Sequence, residues 1–324
     1  MKRKISFKSI WEILKKSVTG FSDDKVTKLS ASLAYYTVFA MAPLLIIVIS
    51  LSGFFLGQEA AEGKIYAQLA GFVGSDTAVQ LQDMIKHASI TGKSKIAAII
   101  GVITLLVGAT TVFAEIQDSI NSIWGLKPKP KKGWLKMLKN RFLSFSVIIS
   151  LGFLLLVSLA ISALIDSFSD SLKERFPDIT IIVFSVVNIL ITLLVIGAIF
   201  GVIYKVLPDA KISWKDVLAG AVVTAILFMI GKFAISFYIS KSNVGSTYGA
   251  AGSLVILLLW VYYSAMILYF GAEFTKAYSV KFGSPIYPDD YAVTTKTVEV
   301  ETGKKTVQDK ENTDIKTTET RKRK

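Results

Sequence analysis

Between Asp178 and Lys205 the chain reads Ile179-Thr-Ile-Ile-Val-Phe-Ser-Val-Val-Asn-Ile-Leu-Ile-Thr-Leu-Leu-Val-Ile-Gly-Ala-Ile-Phe-Gly-Val-Ile-Tyr204, without one charged residue. A helix needs about 20 apolar residues to cross a hydrocarbon core about 30 Å thick. Backbone amides in lipid must pair within their own segment, so a helix is the economical structure for such a stretch. This segment alone therefore predicts a transmembrane helix.

Five further segments of similar length lie between charged residues, which brings the prediction to about six transmembrane helices. They are 33–57, 96–114, the stretch between Arg141 and Asp166, 217–240 and 253–271. The composition agrees, because 19% of the 324 residues are charged, against about 25% in soluble domains. We therefore expect an all-α fold: a polytopic membrane bundle with short interfacial and external helices beside it.

Basic residues crowd the loops on one side of these segments. The loop 126–141 is rich in lysine and holds no acid, and the N-terminal segment and 205–216 are also basic. Basic loops remain in the cytoplasm, so both termini are predicted to be cytoplasmic in a bacterial plasma membrane. The net charge of +13 then reflects topology and contact with anionic headgroups at the cytoplasmic face, and no nucleic acid is expected as a partner.

The segment before the first span, 1–28, is predicted to contain an amphipathic helix. Such a helix either lies on the cytoplasmic leaflet or packs on the protein's own core, and the pattern leaves both alternatives open. The apolar side chains that share one helical face are Phe7, Ile10, Trp11, Leu14, Val18 and Phe21.

The rest of the chain divides into a membrane domain and a tail. Residues 29–283 form the six-span domain, with an external helical cap at about 58–95. Residues 284–324 intersperse acids and bases with threonine and hold almost no aromatic residues, which predicts a disordered cytoplasmic tail.

The residue inventory excludes several kinds of chemistry. The chain has no cysteine and one histidine, so disulfides, thiolate metal sites and His-rich catalytic centres are not available to it. No phosphate-binding loop, nucleophile elbow or dinucleotide fingerprint occurs. The sequence therefore predicts neither an enzyme nor a cofactor or metal site.

Two polar residues lie inside predicted spans, about 13 Å below the outer end of each at 1.5 Å per residue. They are Lys232 in the fifth span and Asn188 in the fourth, so they are positioned to face each other. A charge at such depth costs about 2.5–3.5 kcal/mol on insertion scales, which makes it a functional hypothesis by default. The alternative is that Lys232 reaches outward and only anchors its helix.

A second polar cluster is predicted at the cytoplasmic end. Glu115 and Asp118 share a helix face with Ser119 and Ser122, on a helix continuing beyond the second span. Together with other side chains they are predicted to line an inward-facing cavity; the alternative is an interfacial ion-pair network with Lys28, Arg141 or Lys276. The other side chains are Glu273, Tyr35, Tyr36 and the amide pair Gln117 and Asn121.

Two backbone features complete the sequence-based picture. Pro43 is predicted to kink the first span, because it removes a helix hydrogen bond. Gly197 and Gly201 have GxxxG spacing, which favours close helix packing, here within one chain.

Several stretches resemble a known family. They are Leu29-Ser-Ala-Ser-Leu-Ala-Tyr-Tyr-Thr37 running on to Pro43, Phe113-Ala-Glu-Ile-Gln-Asp-Ser-Ile-Asn-Ser-Ile-Trp-Gly125, Tyr204-Lys-Val-Leu-Pro208 with Trp214, Tyr248-Gly-Ala-Ala-Gly-Ser253, and Leu259-Trp-Val-Tyr-Tyr263 leading to Gly271-Ala-Glu273. In this order they resemble the YihY/BrkB family of bacterial inner-membrane proteins, over roughly residues 10–280. The resemblance implies six spans in the plasma membrane. It also associates the chain with serum resistance, envelope lipid export and an old ribonuclease BN label.

The leading hypothesis is transport or export of a hydrophobic or amphipathic substrate such as a lipid. The alternative is a membrane scaffold for the cell envelope with protein partners. A ribonuclease comes third, because the main acidic cluster lies at the end of a membrane helix instead of in a soluble cleft.

Overall fold

The computed structural model describes residues 6–40, 79, 95–128, 177–241, 252–290 and 292–295. Helices and strands are numbered in chain order within these residues. The helices are α1 (Phe7–Asp23), α2 (26–40), α3 (Lys95–Ile123), α4 (Pro177–Val206), α5 (Trp214–Lys241) and α6 (Gly252–Phe282). The strands are β1 (Leu126–Pro128), β2 (Ala210–Lys211), β3 (Tyr287–Pro288) and β4 (Ala292–Thr294). The described chain is thus mostly helical, as the sequence predicts.

Three of the described helices are long and apolar enough to cross a membrane. The qualifying stretches are Ile189–Val206 in α4, Trp214–Ile239 in α5 and Leu254–Phe282 in α6, the predicted fourth to sixth spans. They leave large apolar side chains exposed, such as Leu194 at 70% and Phe233 at 66%. Such surfaces suit lipid contact.

The other predicted spans are described in part or not at all. The predicted span 96–114 lies within α3, and this helix continues to Ile123 as expected. The first span is described only as far as residue 40, and the third lies outside the described residues, as do Pro43 and nearly all of the external cap. The number of spans and the side of each terminus therefore stay predictions.

Small residues allow α4 and α5 to approach closely. A methyl group placed on Gly197 would lie 3.8 Å from the Cβ of Ala225, and one on Gly201 would lie 3.8 Å from the Cβ of Ala221. The later glycine of α4 contacts the earlier alanine of α5, so the two helices are antiparallel. The predicted use of the GxxxG spacing within one chain is confirmed.

Gly201→Leu is expected to lower the free energy of unfolding by about 1–3 kcal/mol, because the added side chain overpacks the α4–α5 contact. Gly201→Ala is the matched control, since its methyl would meet Ala221 at the ordinary contact distance of 3.8 Å. Thermal unfolding of the purified protein in detergent measures both. Equal melting temperatures for the leucine and alanine variants would contradict the packing.

The buried core lies where α3, α4, α5 and α6 meet. Tyr204 and Tyr269 are each 0% exposed there, and Ile120 and Val217 pack in the same cluster. The Tyr204 hydroxyl donates to the Leu268 carbonyl at 2.7 Å, which satisfies it inside the core. This bond joins α4 to α6, and the glycine–alanine contacts join α5 to α4, so the three long helices form one unit.

Helix α1 packs on α6 through a face that the apolar pattern did not indicate. Ile13 and Ser17 are both 1% exposed, whereas Phe7, Trp11 and Val18 are 87%, 64% and 59% exposed. The Phe21 ring also contacts Phe270, with centroids 6.4 Å apart. Packing on the protein's own core therefore positions α1, and most of the predicted apolar face stays exposed.

The compact unit continues past the predicted tail boundary at residues 283 and 284. The Ser284 amide donates to Asp216 at 2.9 Å. β3 pairs antiparallel with β2, with Ala210 opposite Pro288, and β1 pairs with β4. The unit extends to Val293, and a second begins at Thr294. Residues 284–290, 292 and 293 therefore belong to the folded unit, although the sequence predicted a tail from residue 284. Backbone pairing over two or three residues leaves no periodic pattern in a sequence.

Candidate functional site

Most buried polar side chains collect at one end of the helical unit, here called the polar end. It comprises α1, the last turns of α3 and α6, and the segment 207–216 between α4 and α5. Its buried polar side chains are Ser17, Gln117, Ser119, Asn121, Asp209, Asp216, Glu273, Thr275 and Ser279. Burying so many polar groups is costly unless they are paired, so their partners distinguish structural roles from binding roles.

Asp209 has a structural role. Its carboxylate accepts from Gln117 Nε2 at 2.8 Å and from Asn121 Nδ2 at 3.1 Å, and its backbone amide donates to Asn121 Oδ1 at 2.9 Å. Gln117 and Asn121 are four residues apart on α3, so they face the same side and reach one acceptor. The network joins α3 to the turn that follows α4.

Asp216 has a similar role at the start of α5. Its Oδ2 accepts from Ser279 Oγ at 3.2 Å and from the Ser284 amide at 2.9 Å. A carboxylate in the first turn of a helix is also stabilised by the helix dipole. Asp216 therefore connects the beginning of α5 with the end of α6.

Glu273 differs from these two aspartates, because part of its carboxyl has no partner. The residue is 3% exposed, and Oε1 has no hydrogen-bond partner among the described residues. The carboxyl lies against the backbone of α1: a methyl on Gly20 would be 2.5 Å from Oε2. The glycine is thus what lets α1 approach the acid.

A groove of about 560 Å³ lies between α1 and α6, with Glu273 in its lining. Small-molecule sites commonly measure about 300–1,000 Å³, so the groove is large enough for a ligand. Both helices contribute charged side chains to it. The lining residues are Glu12, Lys15, Lys16, Thr19, Gly20, Asp23, Glu273, Lys276, Ala277 and Val280.

Two of the charged groups in the lining are already engaged. Lys281 donates to Glu12 at 2.5 Å and to the Ser9 carbonyl at 3.1 Å. The bond from Lys281 lowers the pKa of the Glu12 carboxyl below its usual range, so Glu12 stays ionised. Lys276 pairs with Asp24 at 3.7 Å and donates to the Ile123 carbonyl.

Lys15 and Lys16 are exposed on α1 and form no ion pair with any described residue. Asp23, also exposed in the lining, likewise forms no ion pair with a described residue, so these three charges lie at the rim of the groove beside the buried carboxyl of Glu273. Two cations at the rim and one buried carboxyl can bind a ligand that carries both signs of charge.

The groove contains only one of the side chains predicted to line a cytoplasmic cavity. Glu273 lines the groove, but Glu115 is half-buried and Asp118 exposed, and both lie on α3, away from the lining. Tyr35 and Tyr36 are 57% and 36% exposed, with ring centroids 5.6 Å apart. They too lie outside the lining of the groove between α1 and α6, so whether these side chains line a further cavity stays a prediction.

Lys232 lies far from the groove. Its neighbour Gly231 packs against Tyr263 of α6, which precedes Glu273 by ten residues, or about 15 Å along the helix. The side chain of Asn188 is outside the described part of the chain. Whether Lys232 and Asn188 face each other therefore stays a prediction.

Sequence reasoning missed Asp209, Asp216 and the groove lysines. The amide pair Gln117 and Asn121 was noticed, and two buried amides on one helix face require an acceptor. A search for an acid in a neighbouring loop would have indicated Asp209.

Comparison with known proteins identifies the family. The family model of virulence factor BrkB matches residues 17–289, which include the second half of α1, Glu273 and β3 but begin after Lys15 and Lys16. This chain belongs to the BrkB family. The resemblance noted from the sequence motifs is therefore confirmed.

Curated relatives of this BrkB-family chain have names that describe location only. A UPF0761 membrane protein of Pseudomonas aeruginosa is 30% identical over 265 residues, covering 78% of this chain and 59% of its own length. UPF0761 membrane proteins of Pseudoalteromonas atlantica and Aggregatibacter aphrophilus are 26% and 28% identical, with 83% and 87% of their lengths covered. The chain thus spans about three fifths of the Pseudomonas relative. No solved structure matches.

Proposed function

We propose that this BrkB-family protein moves an amphipathic, lipid-like substrate across the bacterial plasma membrane without chemically changing it. The observation that carries the proposal is the groove between α1 and α6, which combines uncommitted lysines with the buried carboxyl of Glu273. A groove that contains charged side chains and lies beside apolar membrane-length helices suits a molecule with a charged head and an apolar body.

The position of the groove along α6 supports this proposal. The helix has 31 residues, or about 46 Å, and so exceeds a hydrocarbon core of about 30 Å. Counted from Leu254, the first residue of the apolar stretch, Glu273 comes after about 20 residues, the length that crosses the core. The groove then lies at the level of the headgroups, and Val280, 73% exposed, adds an apolar wall.

Lipid movement in liposomes tests the proposal. The purified protein is expected to accelerate transfer of a labelled lipid between leaflets, relative to protein-free liposomes. Lys232→Met and Glu115→Gln test the side chains proposed from sequence, and both are expected to retain transfer because neither lines the groove. Loss of transfer in a folded Lys232→Met protein would move the path to the outer half of the bundle. No acceleration with anionic or zwitterionic lipids would favour the scaffold alternative.

Both termini are proposed to lie in the cytoplasm, and the cysteine-free chain makes this directly testable. Single cysteines replacing Lys211 or Asp290, both exposed at the polar end, are expected to resist a membrane-impermeant maleimide in intact cells and to react after permeabilisation. A cysteine replacing Lys241, at the far end of α5, is expected to react in intact cells. The reverse labelling pattern would place the groove on the outer face.

A further inference from the structure

The geometry points to a more specific ligand for the groove: a headgroup that joins a primary ammonium to a phosphate ester, as in a phosphoethanolamine lipid. The inference rests on the proposed function in that both use this groove. It adds the chemistry of the ligand, and binding tests that chemistry separately from movement.

The buried carboxyl supplies the first half of the recognition. Glu273 is 3% exposed, and its Oε1 has no partner among the described residues. The carboxyl of Glu273 has a side-chain hydrogen bond with Asp24, but a buried carboxylate oxygen without a donor is still costly, and a charge-assisted bond to an ammonium satisfies it. Lys276, three residues after Glu273 on α6, forms an ion pair with Asp24 and donates a hydrogen bond to the Ile123 carbonyl. Because Oε1 is itself buried, it suits an ammonium brought by a ligand once the carboxyl turns toward the groove that Glu273 lines.

The lysines supply the second half. Lys15 and Lys16 line the same groove from α1 and have no ion pair in the described part of the chain. Lysine ammoniums bind phosphate oxygens as mobile point charges. An anion bound to the two lysines and an ammonium bound to Glu273 would lie in the same groove. A single molecule that carries both groups can therefore make both contacts at once.

The number of donors on the ligand's cation decides between related headgroups. A primary ammonium has three N–H donors and can satisfy Oε1 of Glu273 directly. A choline headgroup carries the same charge but no N–H, and a glycerol headgroup carries no cation. The site is therefore expected to prefer phosphoethanolamine to phosphocholine or phosphoglycerol when the acyl chains are identical.

Lipid binding to the full chain in detergent tests this preference. Phosphatidylethanolamine, phosphatidylcholine and phosphatidylglycerol with the same acyl chains are titrated in turn, and bound lipid is counted by native mass spectrometry. The ethanolamine lipid is expected to bind about tenfold more tightly than the choline lipid, because a hydrogen bond to a charged group contributes about 1.5–3 kcal/mol.

Variants assign the preference to its side chains. Glu273→Gln is expected to remove the preference for ethanolamine over choline, and the double variant Lys15→Gln and Lys16→Gln to weaken both lipids alike. Lys211→Gln removes a lysine outside the groove and is expected to change nothing. If Glu273→Gln does not fold, Gly20→Ala displaces the same carboxyl from α1 and is measured in its place.

Two outcomes would overturn the inference: equal affinities for the ethanolamine and choline lipids in the wild type, or an unchanged preference when Glu273 is replaced. If an equal concentration of glycerophosphoethanolamine, which has no acyl chains, displaced the lipid, the ligand would be the free headgroup compound and not a lipid. Selective binding with no movement in liposomes would leave the inference standing and refute the proposed transport.

Discussion

Asp209→Ala is expected to lower the free energy of unfolding by about 2–5 kcal/mol, because each buried polar group left without a partner costs about 1–3 kcal/mol. The substitution leaves two buried side-chain donors without an acceptor, Gln117 Nε2 and Asn121 Nδ2, now at 2.8 and 3.1 Å from the carboxylate. It also frees the end of α3 from the turn after α4. No other carboxylate at the polar end accepts from α3 in the described hydrogen bonds.

Thermal and denaturant unfolding of the purified protein in detergent measure this loss. Asp290→Ala is the matched control, because Asp290 is also a hydrogen-bonded acid but its side chain is 92% exposed beside Lys211. Exposed pairs contribute about 0–1 kcal/mol, so the control is expected to melt near the wild type. An equally small effect at Asp209 would contradict its role in joining the helices.

Gly20→Ala is expected to reduce lipid movement about tenfold, because the loss of a hydrogen bond to a charged group costs about 1.5–3 kcal/mol. The new methyl would lie 2.5 Å from Oε2, 2.7 Å from Cδ and 3.0 Å from Oε1 of Glu273. The carboxyl is the flexible end of its side chain, so it moves away at little cost to folding. The variant therefore changes the position of the acid and retains its charge.

Transfer rates in liposomes and melting temperatures in detergent must be compared for the same preparation. Gly197→Ala is the control, since it adds the same methyl to a helix where the nearest atom would be 3.8 Å away. A folded Gly20→Ala protein that moves lipid at the wild-type rate would show that the carboxyl's position against α1 is irrelevant.

The helices were the most predictable part of the fold. The uncharged stretch before Lys205 and its two successors became α4, α5 and α6, because length and apolarity alone decide whether a segment suits a membrane. The glycine pair of α4 was also correctly interpreted, since GxxxG spacing has one simple geometric consequence.

The packing of α1 was less predictable. An apolar face indicates a hydrophobic surface but not whether protein or lipid covers it. The face that packs on α6 includes Ser17 and Gly20, which carry no hydrophobic signal, while Phe7 and Trp11 remain exposed. Small residues permit close approach, and a single sequence does not reveal which close approach is used.

Only one residue of the candidate site was predicted from the sequence. Glu273 was selected because it ends a span, and it does line the groove. Its neighbours on α1 are far from it in sequence, and Lys15 resembles any lysine of a basic N-terminal segment. Contacts between distant helices depend on register and rotation, which helical periodicity leaves undetermined.

One reconstitution tests the central claim most directly: lipid transfer in liposomes by wild type, Glu273→Gln and Lys211→Gln, with protein amount and folding matched. The wild type and Lys211→Gln are expected to transfer lipid rapidly, and Glu273→Gln about tenfold more slowly, because one charge-assisted hydrogen bond is lost. Equal transfer by all three proteins would contradict the groove as the substrate site, and no transfer by the wild type would contradict transport itself.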